Sequence, residues 1–254
     1  MSRPRKKLSL ATIVREFVLV RRYRQARCDG VFDYEWGAIH YDRKAVVNLL
    51  LAGRPDGAYL EIGCADNALF DAVMARRKVG VDPRQGGTHR MTSDAYFAAA
   101  RRDQGAGERF DVVFVDGLHL YDQVRRDLDG ALSVLNPGGW IAFHDMLPRD
   151  WLEEHVPQIR TRGWTGDGWK LAFELLASPD VAFRLLAIDH GVLVVKPLTA
   201  RPRIPDLSAT LAGERFGYLY RNFALLPVVG YEEAADWIAS ERDRRADGAP
   251  AAQP

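Results

Sequence analysis

The sequence predicts an α/β fold: an open, doubly wound, mostly parallel sheet with helices on both faces and a terminal antiparallel hairpin strand. Three observations carry this. Short apolar runs at 58–62, 78–82, 110–116 and 140–144 are of the fully buried strand type, and each ends at or beside a Gly or Asp. Helical stretches separate them, and strands alternating with helices call for a parallel sheet covered on both sides. The runs 181–188 and 191–196 lie a few residues apart, as the arms of a hairpin do.

The elements follow in order. Leu10 to Val20 is spaced as a helix with an apolar face, which is expected to pack on the domain and leave a basic face in solvent. Ala58–Ile62 is the first strand, and a helical stretch is expected from its closing Gly63 through Arg77. Lys78–Asp82 is the second strand, ended by Pro83 and the turn-forming Gly86 and Gly87. Phe110–Asp116 precedes a helix at 121–135, in which Val124, Leu128, Leu132 and Leu135 share a face. Asn136-Pro-Gly-Gly139 stops that helix before Trp140–His144. Residues 198–254 read as a helical appendage with aromatic stretches and a frayed tail from 241, and residues 1–54 as a helical extension, leaving 55–197 as the core domain.

Composition narrows the function classes. The chain has 254 residues, 47% of them hydrophobic, with 35 Lys and Arg against 34 Asp and Glu. A sizeable core is available, and disordered, collagenous and disulfide-stapled classes are excluded. No run approaches the roughly 18 apolar residues of a membrane span. Two cysteines, Cys28 and Cys64, suit a reducing compartment, so a cytoplasmic protein is expected. The balanced charge speaks against a nucleic-acid partner. Charge is nevertheless uneven: residues 1–27 hold nine basic residues and the single acid Glu16, which leaves a weak membrane-surface contact through this segment open. The aromatic C-terminal region offers an interface for a homo-oligomer.

In an open parallel sheet, ligands bind at the carboxyl ends of the strands. The residues there are Glu61 to Gly63, Asp82, Asp116 and His144-Asp145. Gly63 opens a tight turn where backbone approaches a ligand, and Asp82, nineteen residues on, is placed to accept hydrogen bonds from ribose hydroxyls. Taken alone, this pair also fits a plain structural turn or a nicotinamide dinucleotide site. Asp127 and Asp129, with Arg125 and Arg126 beside them, read as a solvated charged face. Trp164 to Lys170, rich in Gly and Trp, reads either as a lid over the site or as packing between elements. Residues 34–41 read as a cover for a cofactor or as packing alone.

The run Phe110-Asp-Val-Val-Phe-Val-Asp116-Gly-Leu-His119, a helix, and Leu135-Asn-Pro-Gly-Gly-Trp-Ile-Ala-Phe-His144-Asp145 is more specific. It resembles the class I S-adenosylmethionine-dependent methyltransferases, with a Rossmann-like sheet. Within them it is most similar to the metal-assisted bacterial O-methyltransferases that include sugar, macrolide-sugar and catechol-type enzymes. The resemblance implies that Glu61, Gly63 and Ala65 shape the cofactor turn and that Asp82 holds the ribose. It implies that Ser93 and Asp94, after a third strand, meet the adenine, and that Asp116 borders the cofactor. Asp116 and Asp145 match the metal-binding acids of the fourth and fifth strands, with His144 as a third ligand to Mg²⁺ or another divalent cation. His119 matches the general base. The acceptor implied is a saccharide or natural-product hydroxyl. Three departures stand out: Ala65 and Asn67 replace the second and third glycines, Met146 follows Asp145, and His144 stands where sugar-modifying relatives have an acid. These keep two other readings open, a nicotinamide-dependent oxidoreductase and a module that binds S-adenosylmethionine without catalysis.

Overall fold

Strand β1 (Ala58–Ile62) is buried at every residue because it is flanked by strands on both edges and covered on both faces. It pairs in parallel with β2 (Arg77–Val81) and with β3 (Phe110–Val115), and β3 pairs in parallel with β4 (Leu135–Phe143). The computed structural model describes residues 8–54, 56–102 and 108–248. The sheet continues through the hairpin of β5 (Val181–Leu186) and β6 (Val192–Pro197), and ends in a two-residue strand β7 (Val228–Val229), in the order β2-β1-β3-β4-β6-β5-β7. Strand β6 is antiparallel to both neighbours, and the other strands run one way. The predicted sheet is therefore present, with β7 as an addition that two residues of sequence could not signal.

Helices cover both faces. On one side α4 (Ser93–Arg102), α5 (Tyr121–Val134), α7 (Leu171–Leu176) and α9 (Phe216–Asn222) enclose a core that includes Phe97, Leu128, Phe173 and Phe216. On the other, α2 (Arg43–Leu51), the five-residue α3 (Ala68–Ala72) and α10 (Tyr231–Gly248) enclose Val46, Leu50, Phe70, Trp140 and Trp237. Short helices α6 (Trp151–Glu154) and α8 (Ser208–Leu211) lie in the connections. Ala234, Trp237 and Ile238 of α10 sit in the same core as Val46 and Val47, so the C-terminal region is built into the sheet's second face. Helix α10 also runs through the start of the tail expected to fray, and residues 249–254 lie outside the described residues.

Three expectations are corrected. The helix after Gly63 spans only Ala68–Ala72: Ala65 and Asn67 adopt left-handed backbone before it, and Asn48 ends it by accepting from the N–H of Met74 at 2.8 Å and donating to the carbonyl of Ala72. Among the described residues, no third strand separates β2 from Ser93. A single parallel bridge, Val81 to His89, stands in its place, so Asp116 and Asp145 close the third and fourth strands of this sheet.

The third correction concerns α1 (Leu10–Arg22), capped by the Ser9 hydroxyl on the N–H of Thr12. Most of its apolar residues are not packed inward: Leu10, Ile13, Val14, Phe17 and Val18 are 51–77% exposed, and only Leu19 and Val20 at its end reach the core. The docked side is instead polar at its centre, where Glu16 accepts the N–H of Thr161 at 2.8 Å. No helix of the described residues is long and apolar enough to cross a membrane.

Candidate active site

At the carboxyl edge of β1, Gly63 has φ +88°, and a Cβ there would lie 2.0 Å from the carbonyl oxygen of Asp116. Only glycine allows β1 and β3 to approach this closely, with or without a ligand. Beside it opens a cavity of about 600 Å³ whose walls include Gly63, Ala65, Asp82, Ser93, Asp94 and Asp116. That volume falls within the range of small-molecule sites. Glu61 is the exception among the residues predicted to hold the cofactor. It is 1% exposed on the other face of β1, accepts the Tyr59 hydroxyl at 2.6 Å, and contributes no wall. Burial pushes its carboxyl up to about 7, with the Tyr59 hydrogen bond opposing and Asp116 adding to the shift.

Asp82 fixes the loop after β2. One oxygen accepts the N–H groups of Arg84 and Gln85 at 2.7 and 2.9 Å, and the other accepts that of Ala65 at 3.0 Å. Burial would raise its pKa, but these backbone hydrogen bonds hold it below the usual carboxylate value. A carboxylate offers about four lone-pair sites. Three are taken, so room remains for one hydroxyl donor.

Beyond the cavity, the strand-end acids converge on one histidine. His119 Nε2 lies 2.9 Å from Asp116 Oδ1, and its Nδ1 lies 3.2 Å from Asp145 Oδ2. His119 and Asp145 both have left-handed backbone, at φ +56° and +58°, a conformation that non-glycine residues hold only where the surroundings impose it. Burial favours the neutral imidazole of His119, but the two carboxylates outweigh it and raise the pKa above 6.5. Burial likewise disfavours the Asp116 carboxylate, and the histidines on either side overcome this and hold it far below the usual range.

His144 carries the other contacts. Its buried Nδ1 has no aligned hydrogen-bond partner and lies 3.5 Å from an oxygen of each of Asp116 and Asp145. One ligand atom from each of Asp116, His144 and Asp145 falls within a 4.8 Å group. An orphaned imidazole nitrogen aimed at two carboxylates fits a divalent cation of borderline softness, such as Mn²⁺ or Zn²⁺, as well as Mg²⁺. On the far side of the ring, His144 Nε2 lies 2.9 Å from Arg43 Nη1 and 3.5 Å from Asp189 Oδ2. Arg43 can only donate, so its contact as it stands calls for a lone pair on Nε2; a cation at Nδ1 would need the ring proton on Nε2, turned to the Asp189 carboxylate. Met146, buried behind this group, donates its N–H to Gly191 and packs under the hairpin.

The Gly/Trp segment divides between its two readings. Trp169 is fully buried, stacks on Tyr218 and meets Phe173 edge to face, which makes it core. Trp164 is tilted against His119 with ring centroids 5.9 Å apart, its indole N–H held by the carbonyl of His155 at 2.8 Å. Tyr34 and Trp36 stack on each other at 4.6 Å, and Trp36 reaches His190, so this segment packs beside the β5–β6 turn.

Arg43, Asp189, Gln123 and Asp127 escaped the sequence reading. Asp127 is 1% exposed, which overturns its assignment to a solvated face, and it lines the cavity with Gln123. Gln123 Nε2 donates toward Ser93, Asp94 and Asp127 at 3.0–3.2 Å. The i, i+4 spacing of 123 and 127 was a usable signal, because it places them beside the Val124–Leu128 stripe. No local pattern linked Arg43 to Asp189.

A family model described as a methyltransferase domain matches residues 45–146. No curated protein matches the chain. Among solved structures the chain is similar to the O-methyltransferase from Bacillus cereus in complex with S-adenosylhomocysteine, at 13% identity and TM-score 0.45, over 75% of this chain and 92% of that one. It is similar to TomG of Streptomyces achromogenes, an O-methyltransferase of tomaymycin synthesis, at 16% identity and TM-score 0.41, over 76% and 92%. MycE, a methyltransferase of the mycinamycin pathway in complex with Mg and S-adenosylhomocysteine, is similar at 19% identity and TM-score 0.41, over 76% of this chain and 57% of that one. The matched segment spans β1 to the end of β4, so over these strands the chain is similar to a methyltransferase domain, and the sheet has the Rossmann-like arrangement expected of one.

Proposed function

We propose that the protein transfers a methyl group from S-adenosylmethionine to a hydroxyl of a polar small-molecule acceptor such as a saccharide, with help from a divalent cation and a histidine base. The observation that carries this reading is His119 held between Asp116 and Asp145, with Asp116 also lining the cavity that Asp82 and Gly63 border. Alcohol oxidation by hydride transfer would also use a histidine base, so what favours methyl transfer over the oxidoreductase reading is the methyltransferase-domain match over residues 45–146.

In this reading, Asp82 uses its remaining acceptor site for a ribose hydroxyl, and Ser93, Asp94 and Asp127 line the adenine end. Asp116, Asp145 and His144 Nδ1 would hold the cation, which supplies positive charge that makes an acceptor hydroxyl easier to deprotonate. In its neutral form His119 keeps one N–H on a carboxylate. Its unprotonated nitrogen takes the hydroxyl proton as the methyl passes from sulfur to that oxygen and S-adenosylhomocysteine leaves; the carboxylates then steady the imidazolium. Trp164, against the imidazole, shields this exchange from water.

Calorimetric titration with S-adenosylhomocysteine, with and without Mg²⁺ or Mn²⁺ and with NAD⁺ as comparator, tests it. Binding of S-adenosylhomocysteine and not NAD⁺ is expected. Failure of S-adenosylhomocysteine to bind under every condition would overturn the reading. If it binds, a radiolabelled methyl-transfer screen over hydroxylated acceptors separates an enzyme from a non-catalytic module.

A further inference from the structure

Helix α1 is held with five of its apolar residues outward. Leu10, Ile13, Val14, Phe17 and Val18 fall at i, i+3, i+4, i+7 and i+8, one continuous stripe on a 3.6-residue helix, and all are exposed. The seat on the opposite side is specific. Glu16, the single acid of residues 8–27, accepts the N–H of Thr161, Arg15 donates to the carbonyl of Gln158 at 3.3 Å, and Leu19, Val20 and Tyr23 pack on the core. The fold thus spends the helix's acid on its own docking and presents the stripe to the outside. An exposed apolar face of this kind marks an interaction site.

Charge identifies the partner. Arg15, Arg21 and Arg22 lie on the helix, and Arg21 sits 5.7 Å from the centroid of the Phe17 ring within the stripe. A cavity of about 580 Å³ at the helix's C-terminal end is lined by Arg21, Arg24 and Arg27. Its two acids, Asp29 and Asp150, are engaged by Arg27 at 2.8 Å and Arg160 at 2.9 Å. Residues 1–27 carry nine basic residues and one acid, whereas residues 28–254 carry 26 basic and 33 acidic residues. Stacking the stripe on that of a second copy would bring two such basic segments together. An anionic surface with an apolar layer beneath it satisfies both parts of the face.

We propose that α1 and its flanking basic residues form an interfacial anchor that lays the protein on anionic phospholipid, with the stripe at the acyl boundary and the arginines on the phosphates. The test is flotation of the full chain with vesicles of phosphatidylcholine alone or mixed with phosphatidylglycerol. Binding to the mixed vesicles only, weakened by NaCl, is expected. Phe17→Glu with Ile13→Glu should weaken it about tenfold or more, and Arg21→Glu with Arg24→Glu should remove the preference for anionic lipid. These side chains are exposed, so circular dichroism melts should match the wild type. Absence of binding to anionic vesicles, or equal binding to neutral ones, would overturn the proposal. So would a wild-type dimer in sedimentation velocity that Phe17→Glu dissociates, without vesicle binding, since the stripe would then serve self-association.

Discussion

The main-chain N–H and the guanidinium of Arg43 close on the same oxygen of Asp189, at 3.1 and 3.2 Å, across 146 residues of sequence. His144 Nε2 stands in the angle between them. Burial would raise the Asp189 carboxyl, but His144 and Arg43 together hold it well below the carboxylate range. An outer partner of this kind orients an imidazole whose other nitrogen faces a cation.

Asp189→Asn should therefore weaken Mn²⁺ binding by about 10–100-fold, as measured by calorimetry, while leaving S-adenosylhomocysteine affinity without cation unchanged. An unchanged Mn²⁺ affinity would mean that His144 is oriented without Asp189.

His119→Ala should lower the methyl-transfer rate by about 10²–10⁴-fold with little change in cofactor affinity. In the proposed reaction the neutral imidazole would be the base, and its pKa is raised above 6.5 by Asp116 and Asp145 against the effect of burial. The wild-type rate should consequently climb as pH rises through that raised value and then level off. A profile that is flat from about pH 6 to 9 would exclude His119 as the base.

Glu61 makes a stability prediction independent of function. Its carboxyl titrates at about 7 in the fold and at 4.5 when unperturbed. The unfolded chain therefore loses its proton first, and this contribution to stability is complete below pH 4.5 and lost as pH rises to 7. The loss is roughly 3 kcal/mol. Glu61→Gln keeps an acceptor for Tyr59 and does not ionise, so denaturant unfolding should show it gaining on the wild type between pH 5 and 8. An equal difference at both pH values would contradict the buried carboxyl as the source.

Gly166 holds the His119 loop from outside. It has φ +68°, and a Cβ there would lie 2.1 Å from the carbonyl oxygen of His119. Gly166→Ala should cost about 1–3 kcal/mol from backbone strain alone, displace His119 and lower activity. Urea unfolding together with the rate checks this, and a fully stable, fully active variant would show that the loop yields freely.

The parts of this architecture that were legible in the sequence are those written locally. The runs at 58–62 and 110–115 are apolar on both faces because both faces are covered, and the acids that close them inherit their place from the strand ends. Asp82, Asp116, His144 and Asp145 could be placed on that basis, whereas His119 came only with the family resemblance. Arg43 and Asp189 could not, because their meeting depends on how α2 and the hairpin are set against β4. Asp127 was misread because charge on its neighbours Arg125, Arg126 and Asp129 outweighed its position beside the apolar stripe of α5. Helix α1 runs against the usual rule: its periodicity predicted the helix, but the side that docks is the one carrying Glu16 on Thr161 together with Leu19, Val20 and Tyr23.

The reversed direction of β6 reaches further than the sheet's pairing pattern. Leu193 of β6 sits opposite Phe143, and Leu186 of β5 opposite Val192, so the short tip at 187–191 emerges beside the end of β4. A strand of the common polarity in that slot would have sent its connection to the remote edge. Here a five-residue tip delivers Asp189 to His144 and lays Gly191 so close to Leu147 that a Cβ would come within 2.5 Å of its nitrogen. Length is thereby locked as well as composition: one residue more or less in that tip would be felt first at the histidine.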